Sequence, residues 1–225
     1  MQRGLFITFE GIDGSGKTTQ LKRLAVRLAV SNIPHLVTRE PGGSEAGERI
    51  RQIIIESTKL ALEPKAEVYL FLANRVQNLA EVVGPAVADG IIVLSDRHRD
   101  SSTAFQGGGR QLGFEIVDQL QEYACAFAPD CTLYFDISVE ESRARAAKRE
   151  QNSATAKTVD RFEREGEGFH QRIWEGYQWL MKKYPARFVV VDGSGDEDTV
   201  EHFVWAALTE RYPEHFKIET KTEPL

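Results

Sequence analysis

The stretch Gly11-Ile12-Asp13-Gly14-Ser15-Gly16-Lys17-Thr18, called the glycine loop below, fits the pattern G-x-x-x-x-G-K-[ST]. An apolar, β-forming run from Leu5 to Phe9 precedes it, and helical apolar spacing follows from Thr19 to Val30. This order of strand, loop and helix N-terminus favours a polyphosphate site, because backbone N–H groups and the helix dipole both attract anions. We expect phosphate contacts from Gly11 to Thr19, with Lys17 at the terminal phosphates and the Thr18 hydroxyl on Mg²⁺.

The length and composition of the chain limit which classes of protein it can belong to. The chain has 225 residues, 41% of them hydrophobic, which suits one domain with a sizeable core. A formal net charge of −6 argues against nucleic-acid binding and requires any phosphate site to be locally basic. Cys125 and Cys131 have neither CxxC nor zinc-site spacing and suit the reducing cytoplasm. Without a signal-peptide pattern or an apolar run near ~18 residues, we expect no membrane association.

Strand-like and helical patterns alternate along the chain. Strands are predicted at Leu5–Glu10, His35–Thr38, Ile91–Ser95, Thr132–Asp136 and Phe188–Asp192. Helices are predicted at Lys17–Ser31, Ser44–Ser57, Pro64–Asp89, Gly113–Ala126, Ser138–Arg149, Val159–Lys183 and Asp196–Arg211. The alternation implies an α/β fold of the P-loop NTPase type, with a parallel five-stranded sheet and helices on both faces. Residues 1–212 are expected to form the single domain, with a small lid at about 143–161, a polar loop at Gln151–Thr158 and a polar tail at 213–225.

Several polar segments fall at the predicted carboxyl ends of strands, where ligands bind in such folds. They are the glycine loop, Arg39–Gly43, Asp96–Arg99 and Asp136, and we expect one shared site. Asp96 ends an apolar strand, so it suits a role in holding Mg²⁺, although it is also in position to cap the next helix. Arg97 directly beside it favours phosphate binding, since a guanidinium binds phosphate oxygens bidentately.

Four motifs together carry a resemblance to a known family. After the glycine loop come Thr38-Arg39-Glu40-Pro41-Gly42-Gly43, Asp96-Arg97-His98 and Gln106-Gly107-Gly108-Gly109-Arg110. In this order and spacing, from Leu5 to about Leu208, the chain resembles the thymidylate kinases, which transfer a phosphoryl group from ATP to dTMP. The resemblance implies ATP and dTMP as substrates, Mg²⁺ as the metal and a homodimer. The predicted Pro64–Asp89 helix is a candidate for the dimer interface, and burial in the monomer core explains its apolar face equally well.

Site roles follow from the resemblance where the residues match. Arg51 and Arg97 correspond to positions that bind the acceptor phosphate, Phe71 to the one that stacks on thymine and Arg75 to the one that donates to its O4. Lining positions for the base and sugar are Ser101, Ser102 and Gln106, and acidic positions near the 3′-hydroxyl are Asp13 and Glu40. Phe105 stands where many relatives have Tyr, so this chain keeps the aromatic ring at that position and lacks the hydroxyl.

The roles of Phe71, Arg75 and Arg51 each have a purely structural alternative. Phe71 and Arg75 are four residues apart on one predicted helix and share a face, which suits a planar base but equally a core Phe beside a solvated Arg. For Arg51 the alternative is a solvated helix face. His98 is a poor candidate base, because a phosphate monoester with a second pKa of about 6 is already mostly dianionic.

Positive charge is the expected means of catalysis, because two anionic nucleotides must meet. Lys17, Arg97 and a lid arginine are the predicted catalytic groups, with Arg51 and Mg²⁺ in support. The glycine loop contains no Arg or Lys before Lys17. The chain therefore resembles the branch of the family whose catalytic arginine lies in the lid. Arg149 is the first choice, followed by Arg145 and Arg161; the alternative is a basic helix face paired with Glu140 and Glu141.

Three other functions remain open on the sequence. The nearest is a kinase for another pyrimidine monophosphate, namely dUMP, UMP or CMP. A GTP-binding switch would need a guanine-reading Asn-Lys-x-Asp, which the sequence lacks. A nucleic-acid-stimulated ATPase is opposed by the acidic charge.

Overall fold

The computed structural model describes residues 2–56, 60–152, 162 and 165–216. Within these, one parallel sheet has the strand order β2-β3-β1-β4-β5. Its strands are β1 (Phe6–Glu10), β2 (His35–Arg39), β3 (Ile92–Asp96), β4 (Cys131–Asp136) and β5 (Phe188–Asp192). The predicted five-stranded α/β fold is confirmed, and each strand boundary lies within one residue of its prediction.

Helices cover both faces of the sheet. In chain order they are α1 (Lys17–Val30), α2 (Glu45–Arg51), α3 (Pro64–Asn78), α4 (Gly84–Ala88), α5 (Arg99–Ser102), α6 (Phe114–Ala124), α7 (Val139–Asn152), α8 (Glu167–Lys183) and α9 (Glu197–Arg211). Three of them continue without a break into π-helical turns: α2 into Gln52–Glu56, α3 into Leu79–Val83 and then α4, and α5 into Thr103–Gly109.

Three predicted segments differ in the structure. The helix predicted at Val159–Lys183 begins only at Glu167: Phe162 lies in a turn, and Glu165 and Gly166 are not helical. No helix was predicted over residues 99–109, which include Gly107-Gly108-Gly109, three residues of low helix propensity. These glycines instead allow α8 to pack closely, since a Cβ on Gly108 would lie 2.5 Å from the Arg172 carbonyl oxygen. The predicted loop at Gln151–Thr158 is wrong for its first two residues, which belong to α7, and the rest of it lies outside the described residues.

Two buried layers fix the sheet between its helices. On one face, Ile7, Phe9 and their neighbours on β3 and β4 pack against α1 and α9. On the other face, Tyr134 packs with α8 and the π-helical turn after α5. Parallel register aligns the strand ends, with Phe9 opposite Asp96 and Glu10 opposite Tyr134. The segments that follow β1, β2 and β3 therefore converge at one edge of the sheet.

The C-terminal part of the chain packs further than expected. The polar tail was predicted from residue 213, but Phe216 is buried against Trp205, with ring centroids 5.6 Å apart. The remainder, residues 217–225, lies outside the described residues. Among the helices that the structure describes, none is long and apolar enough to cross a membrane.

Candidate active site

The glycine loop joins β1 to α1 in a backbone conformation that its glycines permit. Gly14 has φ +81°, and a Cβ there would lie 2.8 Å from the Ser142 carbonyl oxygen of α7. Gly16 caps α1 with φ +87°, and a Cβ there would meet nothing within 4 Å. L-residues rarely adopt these angles, and the space in front of Gly16 lies at the positive end of the α1 dipole. The loop thus leaves an open concavity at a helix N-terminus.

Polar groups beside this concavity are incompletely paired. The Ser15 hydroxyl is buried and has no partner among the described residues. The Lys17 ammonium lies 3.4 Å from the Ile12 carbonyl oxygen and 3.5 Å from Asp13 Oδ1, and burial and the Arg97 charge lower its pKa. An anion bound in the loop would accept hydrogen bonds from the Ser15 hydroxyl and the Lys17 ammonium. Its negative charge would also favour the charged form of Lys17. The residues therefore fit the phosphates of a nucleotide.

Thr18 and Asp96, the residues predicted to hold Mg²⁺, are hydrogen-bonded to each other. Thr18 Oγ1 donates to Asp96 Oδ2 at 2.6 Å, which joins the first turn of α1 to the end of β3. This hydrogen bond shows that Asp96 faces the glycine loop, and no side chain caps α5, so the capping alternative is not what the structure contains. No described group of three or more His, Cys, Asp or Glu side chains is arranged to hold a metal. Two protein oxygens completed by phosphate oxygens and water suit Mg²⁺.

Arg97 and Asp13 form an ion pair beside the glycine loop. Arg97 Nη2 donates to Asp13 Oδ1 at 2.5 Å, and its Nη1 donates to the Gly11 carbonyl oxygen at 3.0 Å. Burial opposes the charge of Asp13, but Arg97 and Lys17 outweigh it and hold the pKa of Asp13 below its ordinary value. Arg97 has φ +70°, a left-handed conformation that costs a non-glycine residue energy and is common at functional sites.

The cleft that opens from this pair has a volume of about 860 Å³. It brings together most of the predicted site residues: Asp13, Lys17, Thr18, Glu40, Arg51, Phe71, Asp96, Arg97, Ser101, Ser102, Phe105 and Gln106. Its lining carries five cationic side chains and four carboxylates, a formal excess of one positive charge in a chain whose net charge is −6. The cleft lining is therefore more basic than the chain as a whole.

Asp136 does not join this cleft. It was predicted to share the site because it ends a strand, but it lies at a separate, smaller cavity of about 480 Å³. Trp174 Nε1 and the Tyr134 hydroxyl both donate to its Oδ1 at 3.1 Å. The cause is side-chain direction: Asp136 shares the α8 face of β4 with Tyr134, because alternate residues of a strand point the same way.

Arg51 and Glu40 both line the cleft. Arg51 is half-buried, and its Nη1 donates to the Pro41 carbonyl oxygen at 2.9 Å, so the solvated-face alternative does not describe it. The Glu40–Pro41 peptide bond is cis. Glu40 Oε1 lies 2.9 Å from His98 Nδ1. Burial alone would raise the pKa of Glu40, but the charges of Arg75 and His98 lower it to about 2.

Arg75 is buried rather than solvated, with 1% of its surface exposed. Its Nε donates to Glu40 Oε2 at 2.7 Å, its Nη1 to Ser102 Oγ at 3.1 Å and Gln121 Oε1 at 2.5 Å, and its Nη2 to the His98 carbonyl oxygen at 3.0 Å. Four of its five N–H groups are thus used within the protein. Arg75 lies behind Glu40 and Ser102, which line the cleft. The alternative of a solvated arginine is wrong.

An aromatic wall closes the far end of the cleft. Phe71 is half-buried there, and Phe105 and Phe162 also line the cleft. The Phe162 ring centroid lies 6.3 Å from that of Phe71 and 5.7 Å from that of Phe105. Sequence reasoning missed Phe162, which it placed within a long helix. Gln106 adjoins this wall; its Nε2 donates to Glu67 Oε1 at 2.8 Å, and its own Oε1 is buried with no partner among the described residues.

Glu10 is a second residue that sequence reasoning missed. It ends β1 directly before the glycine loop, and its buried carboxylate accepts hydrogen bonds from the backbone N–H groups of His98 (2.7 Å) and Ser101 (3.3 Å). Burial and the nearby Asp100 charge raise its pKa to about 7. Its place at a strand end, the criterion applied to Asp96, was the signal available in the sequence.

The lid candidates are only partly described. Arg145 Nη2 donates to Glu141 Oε1 at 2.5 Å, which matches the alternative of a basic helix face paired with Glu141. Arg143 instead pairs with Glu167 of α8 at 3.3 Å. The Ser142 hydroxyl of the same helix donates to the Asp13 carbonyl oxygen, so the start of α7 contacts the glycine loop. The Arg149 side chain and Arg161 lie outside the described residues.

Comparisons with known proteins point to one family. The family model described as thymidylate kinase matches residues 9–204. A thymidylate kinase from Trichlorobacter lovleyi is 43% identical over 191 residues, which cover 84% of this chain and 90% of that protein. One from Solidesulfovibrio magneticus is 40% identical over 205 residues, covering 91% of this chain and 98% of that protein. Among solved structures, a thymidylate kinase from Ehrlichia chaffeensis has a TM-score of 0.72 and 30% identity, over 92% of this chain and 99% of that chain.

Proposed function

The chain belongs to the thymidylate kinase family, whose members phosphorylate dTMP, and we propose that it does so in the cleft, with Mg²⁺·ATP as donor. The observation that carries the proposal is the layout of the cleft, which runs from the glycine loop and Thr18–Asp96 to the aromatic wall. Arg51 and Arg97 lie on its lining. A donor nucleotide at the first end and a nucleoside monophosphate at the other would meet at these two cations.

The donor end would hold ATP through the glycine loop. Backbone N–H groups at the start of α1, the Ser15 hydroxyl and Lys17 supply hydrogen-bond donors, and Thr18 with Asp96 supplies oxygens for Mg²⁺. When bound, Mg²⁺·ATP supplies the phosphoryl group and a divalent charge that offsets the repulsion between phosphates. Contacts are proposed from Gly11 through Thr19.

The acceptor end would hold dTMP between Phe71 and the two arginines. Phe71 offers a ring face for the pyrimidine, and the remaining N–H of Arg75 is proposed to reach thymine O4. Ser101, Ser102 and Gln106 lie beside them on the cleft lining, together with the Phe105 ring. Asp13 and Glu40 are proposed to stand near the sugar 3′-hydroxyl, where an ionised carboxylate accepts a hydrogen bond; the low pKa values of both carboxyls keep them ionised at neutral pH.

Catalysis would depend on cations rather than on a base. Lys17 and Arg97 are placed to neutralise the charge that spreads over the transferred group, and the acceptor dianion requires no deprotonation. His98 is fully buried and its Nδ1 is bonded to Glu40, which supports a structural role for it. A lid at about 143–161 within the single domain 1–212 is proposed to supply the last cation from Arg149 and to exclude water.

The test is a panel of acceptors. A coupled assay that measures ADP release should be run with dTMP, dUMP, UMP and CMP at equal concentrations and fixed ATP. We expect the highest kcat/KM for dTMP, because relatives in the family phosphorylate dTMP and because the thymine methyl group would add apolar surface against the aromatic wall. A higher kcat/KM for any base that lacks the methyl group would contradict the proposal.

The chain is also proposed to act as a homodimer in the cytoplasm. Tyr69 and Val76 on α3 and Ile116 and Tyr123 on α6 are exposed apolar side chains, and α3 packs beside α6. Exposed apolar side chains on neighbouring helices suit a helical interface. Light scattering should give twice the 25.3 kDa mass of the chain, and a monomer at micromolar concentration would contradict this.

The proposed cytoplasmic location rests on the two cysteines. Free Cys125 and Cys131 suit a reducing compartment.

A further inference from the structure

The Glu10 carboxylate receives four hydrogen bonds from two separate elements. Besides the two backbone N–H groups on Oε1, the Ser101 hydroxyl donates to Oε2 at 2.6 Å and the Tyr177 hydroxyl at 2.9 Å. Ser101 belongs to α5 and Tyr177 to α8, and Glu10 has no exposed surface. A carboxylate that accepts four such bonds fixes the direction of both hydroxyl hydrogens.

Both hydroxyl oxygens also face Arg97. Arg97 Nη1 lies 3.0 Å from Ser101 Oγ and 3.4 Å from the Tyr177 oxygen. A hydroxyl has one hydrogen and two lone pairs, whereas a guanidinium can only donate. Since each hydroxyl directs its hydrogen to Glu10, its lone pairs remain to accept from Arg97.

From this geometry we propose that Glu10 is a positioning residue that orients Arg97 through the hydroxyls of Ser101 and Tyr177. Asp13 and the Gly11 carbonyl oxygen hold the guanidinium from the side of the glycine loop. The Ser101 and Tyr177 hydroxyls hold the guanidinium from α5 and α8, so that it stays fixed between the donor and acceptor nucleotides. The inference rests on the proposed role of Arg97 at the acceptor phosphate.

Glu10→Gln tests this with little change in shape. The backbone N–H groups of His98 and Ser101 require the amide oxygen, so the amide nitrogen would face the hydroxyls and reverse their hydrogen bonds. Their hydrogens would then point at Arg97, which has no acceptor for them. Asp118→Asn is the matched control, because Asp118 is an equally buried carboxylate bonded to Arg99, Lys183 and Tyr184 and not to Arg97.

Each variant should be measured in the wild-type and Arg97→Ala backgrounds at pH 8, where Glu10 is ionised. The readouts are the Kd of dTMP by calorimetry without ATP, and kcat/KM. With Arg97 present, we expect Glu10→Gln to weaken dTMP binding and lower kcat/KM by roughly 10- to 100-fold, as a misplaced group does. With Arg97→Ala, the same change should have almost no effect, and Asp118→Asn should leave both readouts unchanged.

The outcomes separate the two claims. An equal loss from Glu10→Gln in both backgrounds, or no loss in either, overturns the positioning role. Wild-type binding and turnover in Arg97→Ala alone would instead refute the proposed role of Arg97. If Glu10→Gln does not fold, Tyr177→Phe decides, since it removes one of the two hydroxyls. That variant should lose a few-fold in kcat/KM only when Arg97 is present, and a loss independent of Arg97 overturns the inference.

Discussion

Arg75→Met tests whether Arg75 stabilises the fold, in addition to its proposed contact with thymine O4. The change removes the guanidinium and keeps an apolar stem of similar length, so Glu40 would remain buried without its arginine and with only His98 and Asn78 as partners among the described residues. Both side chains are at most 2% exposed in the native protein. Breaking such a buried pair from one side costs about 3–5 kcal/mol, because the remaining charge is left desolvated. That is a large fraction of the stability of a typical domain.

The measurement is equilibrium unfolding in urea, followed by tryptophan fluorescence. Arg49→Met is the matched control, because Arg49 pairs with Glu45 at the same 2.7 Å but both side chains are more than three-quarters exposed. That exposed pair should contribute less than about 1 kcal/mol. Combining Arg75→Met with Glu40→Gln should cost less than the sum of the two single changes, since no buried charge is then left alone. If Arg75→Met is as mild as Arg49→Met, the proposed stabilising role of this pair is wrong.

Three further predictions concern charge in the cleft. Lys17→Ala should abolish turnover while leaving the circular dichroism spectrum intact, and near-normal kcat would refute its role. Asp96→Asn should weaken binding of Mn²⁺, used as a spin-active substitute for Mg²⁺ in electron paramagnetic resonance with ATP; unchanged affinity would remove Asp96 from the metal site. Because the folded-state pKa of Glu40 is lowered from 4.5 to about 2, its stabilisation is present above pH 4.5 and is lost as pH falls toward 2. Over that window the wild type should lose about 3 kcal/mol of unfolding free energy relative to Glu40→Gln, and parallel pH profiles would contradict this.

Local sequence patterns were enough to predict the sheet and the strand–loop–helix arrangement of the glycine loop. The glycine loop combines a strand, positive-φ glycines and a helix start within a few neighbouring residues, so nothing distant is needed to recognise it. Asp96 and Arg97 were found for the same reason, as they directly follow an apolar strand.

Residues held by distant partners could not be predicted in the same way. Arg75 was weighed as a solvated arginine because periodicity does not reveal Glu40 and Gln121, which lie 35 and 46 residues away. Glu10 obtains its environment from Tyr177, 167 residues further along the chain. The helix after β3 was missed because its glycines serve close packing with α8, a tertiary requirement that overrides helix propensity.

The proposed arrangement of two nucleotides in the cleft is tested most directly by a crystal structure with dTMP and a non-hydrolysable ATP analogue. We expect the thymine ring on Phe71, its O4 near Arg75, and the 5′-phosphate against Arg51 and Arg97, facing the glycine loop. A dTMP molecule with its base elsewhere, or with its phosphate turned away from Arg97, would contradict the proposed arrangement.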